Sequence, residues 1–199
     1  TIADVASFSC GDAGIYLLEG CDSGRITNTQ NASNFTAGVY LDGACNGNLV
    51  ESSMVSASSF GFNLYASNNN TLSGNWVTGC GTYGYYINSS TGNVLAGNVS
   101  NLNGGAEFYL YGSSLGVLER NRITGDGTGP GIKVENADTN SIVQNDIIGN
   151  DTGVQLLGTS TGNLVQRNNF TNNAQKHLEN RGGRIQAITF NWWGSSDSA

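Results

Sequence analysis

The sequence predicts an all-β chain that folds as a right-handed parallel β-helix, and three observations support this prediction. A glycine-led phrase recurs every 22 to 24 residues, as expected of stacked structural repeats. Apolar residues alternate within each copy, and the chain has 29 glycines but a single proline. The seven copies are Gly14-Ile15-Tyr16-Leu17, Gly38-Val39-Tyr40-Leu41, Gly61-Phe62-Asn63-Leu64, Gly84-Tyr85-Tyr86-Ile87, Glu107-Phe108-Tyr109-Leu110, Gly131-Ile132-Lys133-Val134 and Gly153-Val154-Gln155-Leu156.

Each repeat has three apolar sites, which predict three short strands and leave no room for a helix. The first site is the alternating phrase itself, with the residues one and three places after the glycine facing inward. The second lies at position eleven, where Ile26 comes one residue late; its other members are Leu49, Leu72, Leu95, Leu118, Ile142 and Leu164. The third lies near position sixteen, at Val55, Val77, Val99, Ile123, Ile147 and Phe170. Stacking the coils at ~4.8 Å buries these sites in one continuous core.

The repeats fill almost the whole chain, so a single domain over residues 1–199 is expected. Residues 1–13 form a partial N-terminal coil, residues 14–175 form about seven full coils, and residues 176–199 close the rod. An eighth opening strand is expected at residues 175–180.

The two ends carry apolar residues that fit partial coils without caps. Ile2, Val5 and Phe8 fit inward positions of a preceding coil, and Val5 falls in the position-fourteen register. Near the other end, Ile188, Phe190 and a tryptophan are expected to be buried. Because uncapped strand edges can pair with further strands, these ends favour assembly with other copies.

Position fourteen is rich in asparagine and predicts an internal ladder of stacked amides. Ordinary turn asparagine is the alternative. The position holds Asn28, Asn75, Asn98, Asn121 and Asn145, with Ser52 substituting once.

Six of the eight tyrosines fall at outward positions of the opening strand. A tyrosine ring with its hydroxyl suits both sugars and protein partners. Stacking that only stabilises the sheet is the alternative, and the pattern does not decide between the two. The residues of this candidate binding face are Tyr16, Tyr40, Tyr65, Tyr86, Tyr109 and Tyr111.

Lys133, Glu135 and Asp138 form the one charged group expected on this face, and they are weak candidates for catalysis. A salt-bridged surface strand explains them as well as a general base does. Asp42 also points outward, but it lies four coils from Glu135, about 19 Å, which is too far for a pair of glycosidase carboxyls.

Composition narrows the partners and the compartment. Charged residues make up 12% of the chain and the net charge is −7, which argues against nucleic acid and is typical of secreted β-solenoids. No apolar run is long enough to span a membrane, and no signal peptide is visible. The single His177 and the lack of Cys-x-x-Cys motifs predict no metal site, and no cofactor is expected.

Cys21 and Cys45 occupy the same position in consecutive coils, about 5 Å apart, and are candidates for a disulfide. A stacked pair of reduced thiols is the alternative. Cys10 and Cys80 lie three coils apart and should not bridge. Among the Asn-x-Ser/Thr sequons, Asn34 in a turn is the better glycosylation candidate.

The repeat resembles the β-helix repeats of the carbohydrate-binding and sugar-hydrolase superfamily, within the pectate-lyase-like fold, over residues 14–175. The ending Phe190-Asn191-Trp192-Trp193-Gly194-Ser195-Ser196-Asp197 is similar to the closing motif of adhesin-like and surface-layer β-helix proteins of methanogenic archaea and bacteria. This resemblance implies an extracellular surface protein. Lyases of the fold combine acidic calcium ligands with a basic residue, and no such cluster occurs here. Periplasmic proteins linked to copper enzymes match poorly, given one histidine and one methionine, Met54.

These observations favour a non-catalytic extracellular protein that assembles with itself into a surface layer, sheath or fibre, or decorates one. The first alternative is a polysaccharide-binding, adhesin-like module that uses the tyrosines. The second is a polysaccharide lyase or hydrolase centred on Lys133 and Glu135.

Overall fold

The computed structural model describes residues 1–182 and 186–194 and has the predicted architecture, a parallel β-solenoid of about eight turns. Each coil adds one strand to each of three parallel sheets, in the order sheet 1, sheet 2, sheet 3 along the chain. No helix occurs in the described ranges, and so none there is long and apolar enough to cross a membrane.

Sheet 1 contains the opening strands Ile15–Leu18, Ala37–Asp42, Phe60–Tyr65, Tyr83–Asn88, Phe108–Tyr111, Ile132–Glu135, Thr152–Leu157 and Lys176–Asn180. Sheet 2 contains Ile2–Ala3, Arg25–Thr27, Leu49–Glu51, Thr71–Ser73, Val94–Ala96, Val117–Glu119, Ser141–Val143, Leu164–Gln166 and Ala187–Thr189. Sheet 3 contains Ala6–Phe8, Gln30–Ala32, Met54–Ser56, Trp76–Thr78, Val99–Asn101, Arg122–Thr124, Asp146–Ile148 and Asn169–Thr171.

The core is a set of apolar columns that run along the rod, because parallel register places equivalent residues above one another. In sheet 1 the buried rings of Phe62, Tyr85 and Phe108 stack with centroids 5.1 and 4.4 Å apart. Such offset stacking adds to the free energy gained from burying each ring.

The opening glycine lies at the corner between sheet 3 and sheet 1, where the backbone passes close to the core. A Cβ atom on Gly38 would lie 2.2 Å from a methyl group of Val55, and one on Gly61 would lie 2.3 Å from the carbonyl oxygen of Gly84. Only glycine fits such an approach without displacing backbone, which explains why the phrase begins with it.

An internal asparagine ladder runs along the corner between sheets 2 and 3. Asn121 is representative: its amide group donates to Asn145 Oδ1 at 3.0 Å and to the carbonyl of Leu95 at 2.9 Å. Its own Oδ1 accepts from the side chain of Asn98 at 3.1 Å. Each buried amide therefore satisfies backbone groups that water cannot reach. The members are Thr29, Ser53, Asn75, Asn98, Asn121, Asn145, Asn168 and Asn191.

Asn28 is not a member of this ladder, so that prediction was wrong. Its φ of 52° places it in the left-handed corner position, which asparagine tolerates well, and its exposed amide contacts Asp4. Thr29 takes the ladder position instead, and Ser53 rather than Ser52 takes it in the next coil.

The first, second and seventh coils have one extra residue before their second strand, which changes which side chains face inward. Val50 and Val165 are buried, whereas Leu49 and Leu164 point outward, contrary to the prediction. In sheet 3, Ser100 rather than Val99 faces the core.

A second polar ladder links the turns between sheets 1 and 2 of successive coils, and it was not predicted from the sequence. The backbone N–H of each member bonds the side-chain oxygen of the next, at 2.7 to 2.8 Å. The two runs are Asn48–Asn70–Asn93 and Asn140–Asn163–Gln186.

The ends agree only in part with expectation. Ile2 packs against the core and Val5 lies in the ladder register, but Phe8 points outward and is exposed. Near the C-terminus Ile188 is partly buried, whereas Phe190 is 80% exposed and both tryptophans remain about half exposed. Phe190 and one tryptophan were predicted to be buried. Residues 183–185 and 195–199, which include the last residues of the closing motif, lie outside the described residues.

Candidate functional site

The outward side chains of sheet 1 form two columns, which we call the tyrosine face. Strand pairing fixes the order within each column. The first column is Tyr16, Tyr40, Asn63, Tyr86, Tyr109, Lys133, Gln155 and Glu179. The second is Leu18, Asp42, Tyr65, Asn88, Tyr111, Glu135 and Leu157.

Rings in the first column cover one another. Tyr16 and Tyr40 stack at 4.9 Å with planes 7° apart, and Tyr86 and Tyr109 stack at 5.2 Å with planes 28° apart. One flat surface of each of these rings is therefore used within the sheet, although Tyr16, on the first strand, remains 42% exposed. This part of the face follows the sheet-packing interpretation of the tyrosines.

Two tyrosines of the second column, which we call the open rings, are exposed and are not stacked on another ring in the described part of the chain. Tyr65 is 45% exposed and has no stacked aromatic neighbour in the described part of the chain. Tyr111 is 38% exposed, and its plane is turned 63° from that of Tyr109, so the two rings meet edge-on. Asn88 lies between them in register, which separates the two rings by two rungs, about 10 Å.

Tyr109, Lys133 and Glu135 form a bonded cluster next to Tyr111. Tyr109 is only 7% exposed, and its hydroxyl donates to Glu135 Oε2 at 2.7 Å. Lys133 Nζ lies 2.8 Å from the same oxygen and 4.4 Å from the centre of the Tyr109 ring. Asp138 is not part of the cluster, since its carboxylate accepts the backbone N–H of Thr161 in the following turn.

The pKa shifts within this cluster do not suit a catalytic base. Burial, reinforced by the hydrogen bond to Glu135, raises the pKa of Tyr109 well above its ordinary value. The hydrogen bond from Lys133, followed by that from Tyr109, lowers the pKa of Glu135. At neutral pH the phenol is thus protonated and the carboxylate is ionised and already paired, whereas a general base works best with a pKa near the operating pH.

A second charged cluster lies at the last strand of the face. Glu179 pairs with Lys176 and with Arg181, and it accepts from Gln155 Nε2 at 2.8 Å. The hydrogen bond from Lys176, followed by that from Gln155, lowers the pKa of Glu179 to about 2. Only the group at Lys133 was expected from the sequence, although the Lys-x-x-Glu-x-Arg spacing in the eighth repeat was visible.

At the opposite end, Asp42 accepts the Tyr16 hydroxyl at 2.8 Å. This hydrogen bond is the main reason that the pKa of Tyr16 rises to about 12. Asp42 lies four rungs from Glu135 in the same column, about 19 Å, so these two carboxylates do not form a pair suited to glycoside hydrolysis.

Glu107 replaces the opening glycine in the fifth coil, and its side chain turns into the rod, away from the tyrosine face. It accepts from Ser100 Oγ at 2.7 Å and from the backbone N–H of Asn103 at 3.1 Å. Burial raises its pKa, although these hydrogen bonds oppose the shift. The carboxylate fits because Ser100 stands where the second, third and fifth to seventh coils have valine, isoleucine or phenylalanine.

The cysteines and the glycosylation candidate also have defined surroundings. All four cysteines are free thiols; Cys21 and Cys45 share a register, and each thiol donates to a carbonyl three residues earlier, at 3.3 and 3.2 Å. The structure thus corresponds to the stacked pair of reduced thiols, and the disulfide stays a prediction.

Asn34 is only 2% exposed and its N–H donates to Ser58 Oγ, so it does not sit in an open turn as expected for a glycosylated residue.

Three stacked parallel sheets with one strand per coil define the class of protein, a right-handed parallel β-helix of the pectate-lyase-like kind. A family model described as "Periplasmic copper-binding protein (NosD)" matches residues 3–197, and the chain belongs to this family. The sequence-based expectation that this chain matches periplasmic copper-linked proteins poorly was therefore wrong as regards family membership. No curated protein sequence matches the chain significantly.

Similar solved structures support the fold. The periplasmic alginate epimerase AlgG is 14% identical with a TM-score of 0.81, over 96% of this chain and 50% of that one. An alginate lyase from Paenibacillus sp. str. FPU-7 is 13% identical with a TM-score of 0.58, over 96% of this chain and 94% of that one. The chain thus spans about half the length of AlgG, and identities this low indicate a shared fold only.

The described residues do not fit a copper site. They contain no group of three or more His, Cys, Asp or Glu side chains that could hold a metal ion. His177 Nδ1 contacts the Asn173 amide, and Met54 points outward from sheet 3, so the usual nitrogen and sulfur ligands of copper do not converge.

Proposed function

We propose that this protein is a polysaccharide-binding β-helix of the cell envelope or extracellular space, and that the tyrosine face is its binding surface. The observation that carries this proposal is the pair of open rings, Tyr65 and Tyr111, in one column with Asn88 between them. Exposed aromatic faces stack against the apolar surface of sugar rings, and the neighbouring hydroxyl and amide groups can bond the sugar hydroxyls.

The shape of the surface supports a polymer rather than a small ligand. The eight rungs of sheet 1 extend over roughly 34 Å, and the two open rings lie about 10 Å apart along that direction. An extended chain could contact both rings at once, and two linked contacts raise the overall affinity. The family description and AlgG, both named as periplasmic, support the location, and the alginate enzymes support a polysaccharide ligand by analogy of fold.

The other two functions considered from the sequence have less support. A lyase or hydrolase centred on Lys133 and Glu135 would need a free base, whereas these two groups are bonded to each other. Self-assembly into a layer, sheath or fibre stays a hypothesis; light scattering at rising protein concentration tests it, and a monomer throughout would count against it.

The proposal is tested by measuring retention on a panel of immobilised polysaccharides. Tyr65→Ala and Tyr111→Ala should each weaken binding about five- to tenfold, which corresponds to the loss of one aromatic stacking contact. Trp76→Ala is the matched control, because Trp76 is an aromatic ring on sheet 3 that is at least as exposed as the two tyrosines.

Circular dichroism would confirm that all three variants remain folded. A wild-type protein that retains no polysaccharide, or an equal loss in the Trp76 variant, would refute the proposed face. Turnover of a retained polysaccharide, lost in Glu135→Ala, would instead favour the enzyme.

A further inference from the structure

Each cation of the tyrosine face already contacts a carboxylate of the same face. Lys133 pairs with Glu135, and both Lys176 and Arg181 pair with Glu179. These are the basic residues on the described strands and turns of this face. Next to Tyr111, a ligand carboxylate would therefore have to displace Glu135 before it gained Lys133 as a counter-ion, whereas Lys176 and Arg181 share one carboxylate at the far end of the face.

The carboxylates of the face would oppose an acidic ligand. Near Tyr65 and Tyr111, Glu135 balances Lys133 and Asp42 adds a further negative charge, while the whole chain carries −7. The field around the rod is thus negative, and a polyanion would approach against it. Asp42 lies within one rung of the open ring of Tyr65, without a salt bridge in the described residues.

Neutral hydroxyl groups meet no such barrier. Besides the two open rings, the face offers the amides of Asn88 and Gln155, which are both partly buried. These groups can exchange hydrogen bonds with sugar hydroxyls without removing a charge from water, which is the costly step when an unpaired ion is buried.

We infer that the ligand class is a neutral polysaccharide and not a polyuronate such as alginate. This inference rests on the proposed function, since it specifies the ligand of the same face. It separates this chain from the alginate-acting proteins that share its fold.

The test compares neutral oligosaccharides, such as those of cellulose and mannan, with oligomers of alginate and polygalacturonate, by calorimetry at low and physiological salt. We expect a neutral oligomer to bind with little dependence on salt, and the uronate oligomers to bind at least tenfold more weakly.

The variant Glu135→Gln frees the Lys133 ammonium on the face. We expect the ratio of polyuronate affinity to neutral-glycan affinity to rise about two- to fivefold at low salt, as for one exposed ion pair. Glu119→Gln is the matched control, because it removes the same charge and frees Arg120 on sheet 2, and it should leave the ratio unchanged.

The outcomes separate the two claims. Uronate oligomers that bind as tightly as neutral ones would overturn the inference and leave polysaccharide binding intact. A Glu119 variant that shifts the ratio as much as the Glu135 variant would also overturn it, because total charge rather than the face would then decide. No binding of either class would overturn the proposed function as well.

Discussion

The pair formed by Glu107 and Ser100 allows a stringent test of how the coils tolerate an irregular residue. Ser100 Oγ lies 2.7 Å from the Glu107 carboxylate, and both residues are almost fully buried. No cation contacts this carboxylate among the described salt bridges, so neutral donors alone compensate for its burial. The perturbation is to restore the regular corner in two steps, with Ser100→Val and Glu107→Gly.

Each single substitution should destabilise the fold for a different reason. Ser100→Val removes a hydroxyl donor and presses methyl groups against a buried charge, which should cost about 3 kcal/mol. Glu107→Gly removes the charge but leaves Asn103 short of partners and opens a small cavity, at about 1–2 kcal/mol.

The double variant recreates the corner seen at Gly61 and Val77, where valine fills the space beside glycine. We therefore expect it to be less destabilised than the sum of the two single variants, by about 2 kcal/mol. Urea unfolding followed by circular dichroism at neutral pH measures all four proteins. Additivity within about 0.5 kcal/mol would refute the idea that the two residues compensate for each other.

The free energy of unfolding of these four proteins should also depend differently on pH. Burial raises the folded-state pKa of Glu107 above its unfolded value of about 4.3, so the folded protein binds the proton more tightly. The resulting stability is fully present below pH ~4.3 and is lost as the pH rises through the folded pKa. The loss is about 1.4 kcal/mol for each unit by which the folded and unfolded pKa values differ. The Glu107→Gly variants should lack this decline. A wild type whose stability rises over this range while the double variant does not would contradict the assignment.

Two further predictions concern the ladder and the thiols. Asn121→Ala should lower the free energy of unfolding in urea by about 2–4 kcal/mol, because it leaves buried backbone groups unpaired. The control Asn169→Ala, on the outer surface of sheet 3, should change it by less than about 0.5 kcal/mol. Similar losses in the two variants would show that the ladder contributes no more to stability than a surface asparagine. Mass spectrometry after mild alkylation of the reduced native protein should find Cys21 modified long before Cys80. Cys21 is exposed, whereas Cys80 is buried and burial raises its pKa to about 11. Equal rates of modification would contradict the burial of Cys80.

The sequence predicts the architecture because one period governs the whole chain, but it cannot place every residue within a coil. Leu49 and Val50 are both apolar and adjacent on a three-residue strand, so either could face the core. The choice follows from the corner that comes next, where Ser53 must reach Asn75 to continue the ladder. Asn28 shows the same ambiguity, since asparagine suits both the left-handed corner and the ladder one residue later.

The candidate site is likewise predictable from the sequence only in part. Register alone assigns the tyrosines to two outward columns, and this part follows from counting residues. The direction in which each ring turns depends on the side chain of the next coil, and a repeat pattern does not contain that information. Tyr86 is covered because another tyrosine follows it, whereas Tyr111 has Asn88 on one side and Glu135 on the other and so has no stacked ring within its column. Under the proposed function, the interruptions of the tyrosine columns, more than the tyrosines themselves, therefore determine which rings are available to a polysaccharide.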